Sequence, residues 1–111
     1  MIDTDKVISS VYGGKVVAIL RGVQEDKLIP IAEALYEGGI RMIECTFDHG
    51  REDCIEANCR MISRLAEHFE GRIHVGAGTV LTVDQVKRAV AAGASYIVSP
   101  GLNPTVVYRC L

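Results

Sequence analysis

The sequence predicts an α/β protein built on a parallel sheet. Three observations carry that expectation. Short β-rich apolar runs alternate with longer amphipathic stretches. The runs begin about every 23–31 residues, a spacing suited to right-handed β-α-β crossovers. Each run also ends on a polar residue or a glycine-containing turn, the place where parallel β/α folds bind ligands.

The elements follow in order. A short leading helix is expected over residues 4–12, stopped by Gly13-Gly14. Val16-Val17-Ala18-Ile19-Leu20 reads as the first strand. Residues 26–37 carry Leu28, Ile31, Ala32, Leu35 and Tyr36 at helical spacing, with Pro30 placed in the first turn and Gly38-Gly39 at the end. Met42-Ile43-Glu44-Cys45-Thr46 is the second strand, and residues 53–69 form a helix with one apolar stripe. Ile73-His74-Val75-Gly76-Ala77 is the third strand. Thr82-Val83-Asp84-Gln85 has the capping-box pattern for a helix that runs to Ala92 and stops at Gly93. Tyr96-Ile97-Val98-Ser99 is the fourth strand, and Asn103-Pro104 is an N-cap followed by a first-turn proline. The first and last strands read as buried on both faces, as parallel strands usually are.

Two architectures accommodate a helix followed by four β/α units. An open doubly wound sheet normally needs a fifth strand. An eightfold barrel needs roughly 200 residues or more, and four units are half of one. The end at Tyr108-Arg109-Cys110-Leu111, inside a fourth crossover helix, reads as a fragment. The expectation is therefore a single unit over residues 1–111, the N-terminal half of a TIM-type (β/α) barrel.

Composition bounds the function. The chain has 111 residues, 49% hydrophobic and 23% charged, as in an ordinary globular protein. A net charge of −2, with no basic run and no aromatic stacking series, argues against nucleic acid. No apolar stretch approaches the roughly 20 residues of a membrane span, and the acidic N-terminus lacks a signal-peptide profile, so the expected location is the cytoplasm. Cys45, Cys54, Cys59 and Cys110 form no C-x-x-C pair and are expected as reduced thiols, two of them buried. His49, His68 and His74 have no metal-ligand spacing, and an Asp48–His49 dyad is disfavoured because adjacent loop residues seldom form one.

The candidate site gathers the strand ends. Arg21 follows the first run, Glu44 and Thr46 close the second, Gly78-Thr79 follows the third and Ser99-Pro100-Gly101 the fourth. Glu44 interrupts an apolar strand, where an unpartnered carboxylate is costly. It is either an ion-pair partner for Arg21 or Arg41, or a general acid/base. Arg21 suits a planar carboxylate through bidentate hydrogen bonds, or is a surface cation. Thr79 either donates its hydroxyl to the same carboxylate or caps a turn. Gly76-Ala77-Gly78 is not a dinucleotide fingerprint, because the third glycine of that motif would fall at Leu81. The two glycines instead let the backbone turn tightly or approach a ligand.

Taken together, four stretches resemble the 2-keto-3-deoxy-6-phosphogluconate (KDPG)/4-hydroxy-2-oxoglutarate (KHG) aldolase family. They are Val17-Ala18-Ile19-Leu20-Arg21-Gly22, Gly38-Gly39-Ile40-Arg41-Met42-Ile43-Glu44-Cys45-Thr46-Phe47, Val75-Gly76-Ala77-Gly78-Thr79-Val80-Leu81 and Ala92-Gly93-Ala94-Ser95-Tyr96-Ile97-Val98-Ser99-Pro100-Gly101. The resemblance implies an eight-stranded β/α barrel preceded by a short helix, commonly a homo-oligomer. It implies cleavage of a 2-keto-3-deoxy sugar acid to pyruvate and an aldehyde through a lysine Schiff base, without a cofactor or a metal. It makes Glu44 the proton shuttle and Arg21, Thr79 and Pro100 substrate-binding positions. Some members carry an arginine where this chain has Asp48, which leaves Arg21 to make that carboxylate contact alone.

The family's Schiff-base lysine lies on its sixth strand, and this chain ends before the fifth. Lys6, Lys15, Lys27 and Lys87 are expected on the leading helix, before the first strand and on outer helices. The expected activity of the chain alone is therefore nil. Its edge strands are expected to pair with other chains. The alternatives are a non-catalytic half-barrel that binds a partner or a carboxylate, and a phosphate-binding barrel of another kind.

Overall fold

The computed structural model describes residues 2–111. Nine elements follow one another: α1 (Thr4–Gly14), β1 (Ala18–Leu20), α2 (Glu25–Glu37), β2 (Met42–Thr46), α3 (Cys54–Phe69), β3 (His74–Gly78), α4 (Val83–Ala92), β4 (Tyr96–Ile97) and α5 (Pro104–Cys110). The four strands are all parallel and lie in the order β1-β2-β3-β4. A doubly wound sheet reverses its strand order at a switch point. Here there is none, so the sheet is wound in one direction, as a barrel is.

The sheet's two faces differ because successive residues point to opposite sides. One face carries Leu20, Ile43, Cys45, Val75 and Ala77, which pack with Leu28 and Ala32 of α2, Ile62 and Leu65 of α3, and Val86 and Ala89 of α4. The opposite face presents one register row across the sheet: Ile19, Glu44, Gly76 and Tyr96. Asn58, buried on α3, donates from Nδ2 to the Cys45 carbonyl at 2.9 Å and so ties the helix layer to β2.

Several expectations need correction. β1 and β4 are not buried on both faces: Ile19 is 64% exposed, and both residues of β4 are half-buried. They are edge strands, and only β2 is buried at every position. Pro30 lies in the second turn of α2 rather than the first, since the helix begins at Glu25. Gly13 and Gly14 lie within α1, and Lys15, in the left-handed region at φ 62°, ends it. The capping box is also altered. Thr82 Oγ1 accepts from the Gln85 amide as expected, but Gln85 Oε1 accepts from the Leu81 amide one residue further back. Of the four thiols only Cys45 is buried; Cys54 and Cys59 are half-buried and Cys110 is exposed.

Candidate functional site

The carboxyl ends of the strands bring together residues up to 58 positions apart in sequence. At the end of β1, Arg21 Nη2 donates to Thr79 Oγ1, beyond the end of β3, at 3.1 Å. Between them, the β2–α3 loop carries His49, whose Nε2 lies 2.8 Å from the Thr79 carbonyl oxygen. A carbonyl can only accept, so this nitrogen carries the proton and donates. Thr79 is held from two sides in a left-handed conformation at φ 54°, a strained state for a β-branched residue. The chain context did not reveal His49. Its ring reaches a backbone carbonyl thirty residues away, and no local spacing encodes that.

The hydrogen-bond directions define what this corner offers. The lone pair of Thr79 Oγ1 is engaged by Arg21, so its own proton is free to be donated outward. The Arg21 guanidinium is exposed, and its remaining N–H groups have no other partner among the described residues. Two strand ends, those of β1 and β3, thus present neighbouring side-chain donors with protons left to give, suited to a carboxylate.

Glu44 occupies the middle of β2. It is only 6% exposed, and Thr46 Oγ1 donates to its Oε2 at 2.5 Å. Neither arginine weighed as its partner reaches it. Arg41 donates to the carbonyls of Tyr36 and Ile40 and lies over the Tyr36 ring, and Arg21 is taken by Thr79. The carboxylate therefore sits beside a hydroxyl and against apolar strands, without an ion pair among the described residues.

The two glycines of β3 are the floor of this region. A methyl group on Gly78 would collide with the Glu44 carboxyl, and one on Gly76 would collide with the Tyr96 ring. Close approach is thus the reason for both glycines, and what approaches is a neighbouring side chain. Burial pushes the Tyr96 phenol upward from its ordinary pKa, with the Glu44 charge adding to the effect. Burial, again assisted by Glu44, pushes the Cys45 thiol up to about 12.

Pro100 stands apart from the other three. It is exposed in the turn after β4, where Ser99 Oγ lies 3.0 Å from the Val80 carbonyl and 3.1 Å from that of Gly101. Asp48 accepts from the Gly50 amide at 3.2 Å and does not engage His49. Lys6 lies on α1, Lys15 follows it, and Lys27 and Lys87 lie on α2 and α4. No lysine stands at the carboxyl end of a strand. A cavity of about 510 Å³ lies elsewhere, among α1, α4, β4 and α5, and is lined by Val7, Ile8, Val86, Val90, Tyr96 and Arg109.

Singly wound parallel strands, with a buried carboxyl within β2 and hydrogen-bond donors at the carboxyl ends of β1 and β3, define a protein of the β/α-barrel class. The KDPG and KHG aldolase family model matches residues 7–111, and the chain belongs to that family. It is 40% identical over 97 residues to the 2-dehydro-3-deoxy-phosphogluconate aldolase of Treponema pallidum, covering 87% of this chain and 43% of that protein. It is 32% identical over 107 residues to the enzyme of the same name from Haemophilus influenzae, covering 96% and 47%. The chain thus spans less than half the length of these relatives.

Solved structures agree. The KDPG aldolase of Zymomonas mobilis with 3-phosphoglycerate superposes with a TM-score of 0.78 at 29% identity, covering 97% of this chain and 48% of that one. The KDPG aldolase of Legionella pneumophila, with pyruvate captured as a covalent carbinolamine, superposes at 0.77 and 29%, covering 91% and 46%. The fold is that of four β/α units of an aldolase barrel, about half of the whole.

Proposed function

We propose that this chain supplies the acid/base and carboxylate-binding half of a Schiff-base aldolase, which cleaves a 2-keto-3-deoxy sugar acid to pyruvate and an aldehyde. The observation that carries the reading is the Arg21–Thr79 pair. It directs donors outward at the same sheet edge toward which the Glu44 carboxyl leans. The named activity of the relatives and the pyruvate adduct in the Legionella enzyme support it.

In this reading Arg21 and Thr79 bind the keto acid's carboxylate, and Pro100 borders the substrate through its turn. Glu44 takes the proton from the 4-hydroxyl as the C3–C4 bond breaks, and later returns a proton to C3 of the pyruvyl enamine. The electron pair of the broken bond needs an iminium as its sink, and that requires a lysine at a strand end. Lys6, Lys15, Lys27 and Lys87 are all held elsewhere, so the lysine belongs to a complementary half. The chain alone binds the keto acid without turning it over. Calorimetric titration with pyruvate tests the binding: Arg21→Ala and Thr79→Val should each weaken it, and equal affinity in all three proteins would contradict the assignment.

A second reading is a carboxylate-binding assembly module without catalysis, favoured by the same lysine placement. The two differ when the complementary half with a strand-end lysine is supplied, since only the first then gives pyruvate from KDPG. Both readings leave β1 and β4 as open parallel edges, and both include self-association. A monomeric sedimentation profile at high concentration would count against that part.

A further inference from the structure

Two neighbouring residues of the β2–α3 loop make different contacts. Asp48 accepts from the Gly50 amide of its own loop, whereas His49 reaches across to Thr79. The direction of that second contact fixes the neutral tautomer. Nε2 carries the proton, because the Thr79 carbonyl can only accept, and the lone pair lies on Nδ1. Protonation therefore adds a hydrogen to Nδ1 and leaves the Nε2–H bond to Thr79 in place. The ring gains a positive charge without moving. It is exposed, so water solvates the charged form.

That charge is not neutralised within the molecule. No carboxylate lies within ion-pair distance of the His49 ring among the described residues. On its own loop Asp48 is held by Gly50, Arg51 donates to Asp53 from Nε and Nη2, and Glu52 completes the charges. On β2, Glu44 accepts from Thr46. After β1 stands Arg21, and Glu25 pairs with Arg60. The segments after β3 and β4 carry no charged residue before Asp84 and Arg109. Arg21 and His49 thus hold the hydroxyl and the carbonyl of the same residue, Thr79. One is a permanent cation and the other a conditional one.

We propose that His49 is a second carboxylate-binding residue, acting when protonated, so that this corner binds a keto acid more tightly as pH falls. Imidazole is the side chain whose ordinary titration lies between pH 5 and 8. The inference rests on the reading of Arg21 and Thr79 as the carboxylate site. An exposed ion pair contributes little, so the expected gain in affinity from pH 8 to 5.5 is about two- to fivefold.

Titration of the chain with pyruvate at pH 8 and 5.5, followed by nuclear magnetic resonance, tests the proposal. Pyruvate stays ionised throughout, and pyruvamide, its uncharged amide, is the control. Pyruvate should bind more tightly at pH 5.5, and pyruvamide should show no change. His49→Gln keeps an N–H donor for Thr79 but takes up no proton, and it retains His68, His74 and every other titratable group. Its affinity for pyruvate should be the same at both pH values. A purely structural His49 would give the chain and His49→Gln the same pH profile, and that result overturns the proposal. Pyruvate binding to the unaltered chain that does not change with pH also overturns it. In both cases the keto-acid reading stands. Absence of pyruvate binding at either pH defeats that reading and the inference with it.

Discussion

Thr46 Oγ1 donates to Glu44 Oε2 across 2.5 Å from the same face of β2, two residues further along the strand. A hydroxyl, not an arginine, is what makes this carboxylate tolerable inside the sheet. Thr46→Val keeps the shape and removes the donor. The expected loss is about 1.5–3 kcal/mol, the range for a buried hydrogen bond to a charged group. Urea unfolding measures it. In a Glu44→Gln background the same substitution should cost less, because the acceptor no longer bears charge, and a double-mutant cycle isolates the difference.

Gly78→Ala should destabilise by about 1–3 kcal/mol, because the new methyl overlaps the Glu44 carboxyl and forces it off its position. Most of that loss should vanish when Glu44 is also replaced by Ala. Gly76→Ala should behave likewise and be relieved by Tyr96→Ala. Thermal unfolding of the four single and two double variants checks both pairs. Losses that persist in the double variants would mean that the strand backbone itself is the cause.

The sequence made some of this legible and hid the rest for identifiable reasons. Composition alone bounds β2 as Met42 to Thr46, because a strand buried on both faces is an apolar run, broken here only by Glu44 and closed by Thr46. The strand ends could be located because each apolar run stops abruptly at Arg21, Gly78 or Ser99. The exposure of β1 and β4 is not legible in their composition, since Val-Ala-Ile-Leu reads alike in a central strand and at an edge. The purpose of Gly76 and Gly78 was hidden because the side chains above them come from β2 and β4, more than fifteen residues away. The same distance in sequence concealed the contact of His49 with Thr79.

His49→Ala should release the Thr79 carbonyl. The strain at φ 54° is of order 1 kcal/mol, comparable with the hydrogen bond that holds it. Thr79 should then leave the left-handed region, read as loss of the strong intraresidue amide-to-Hα nuclear Overhauser effect. Pyruvate affinity should fall roughly tenfold, equivalent to about 1.4 kcal/mol. His49→Gln retains an N–H donor and should restore much of it. Unchanged Thr79 geometry in His49→Ala would show that Arg21 suffices.

Alkaline stability follows from Cys45. Its thiol titrates at 9.0 in an exposed setting and at about 12 in the fold, because burial disfavours the thiolate. The unfolded chain therefore loses its proton first as pH rises. The stabilisation is complete below pH 9 and is lost between pH 9 and about 12. Tyr96 is raised in the same sense, so Cys45→Ala should flatten the alkaline decline without abolishing it. Urea midpoints measured from pH 7 to 10.5 give the slope. In the same range Cys110, exposed near the C-terminus, should react with iodoacetamide well before Cys45.

The central claim is that the chain carries the acid/base and carboxylate-binding groups but no lysine able to form the Schiff base. Incubation with pyruvate and borohydride, followed by intact-mass measurement, tests it most directly. The account predicts an unmodified mass for the chain alone, and trapping on the partner polypeptide once a half bearing a strand-end lysine is added. A pyruvyl adduct on Lys6, Lys15, Lys27 or Lys87 of this chain would contradict it.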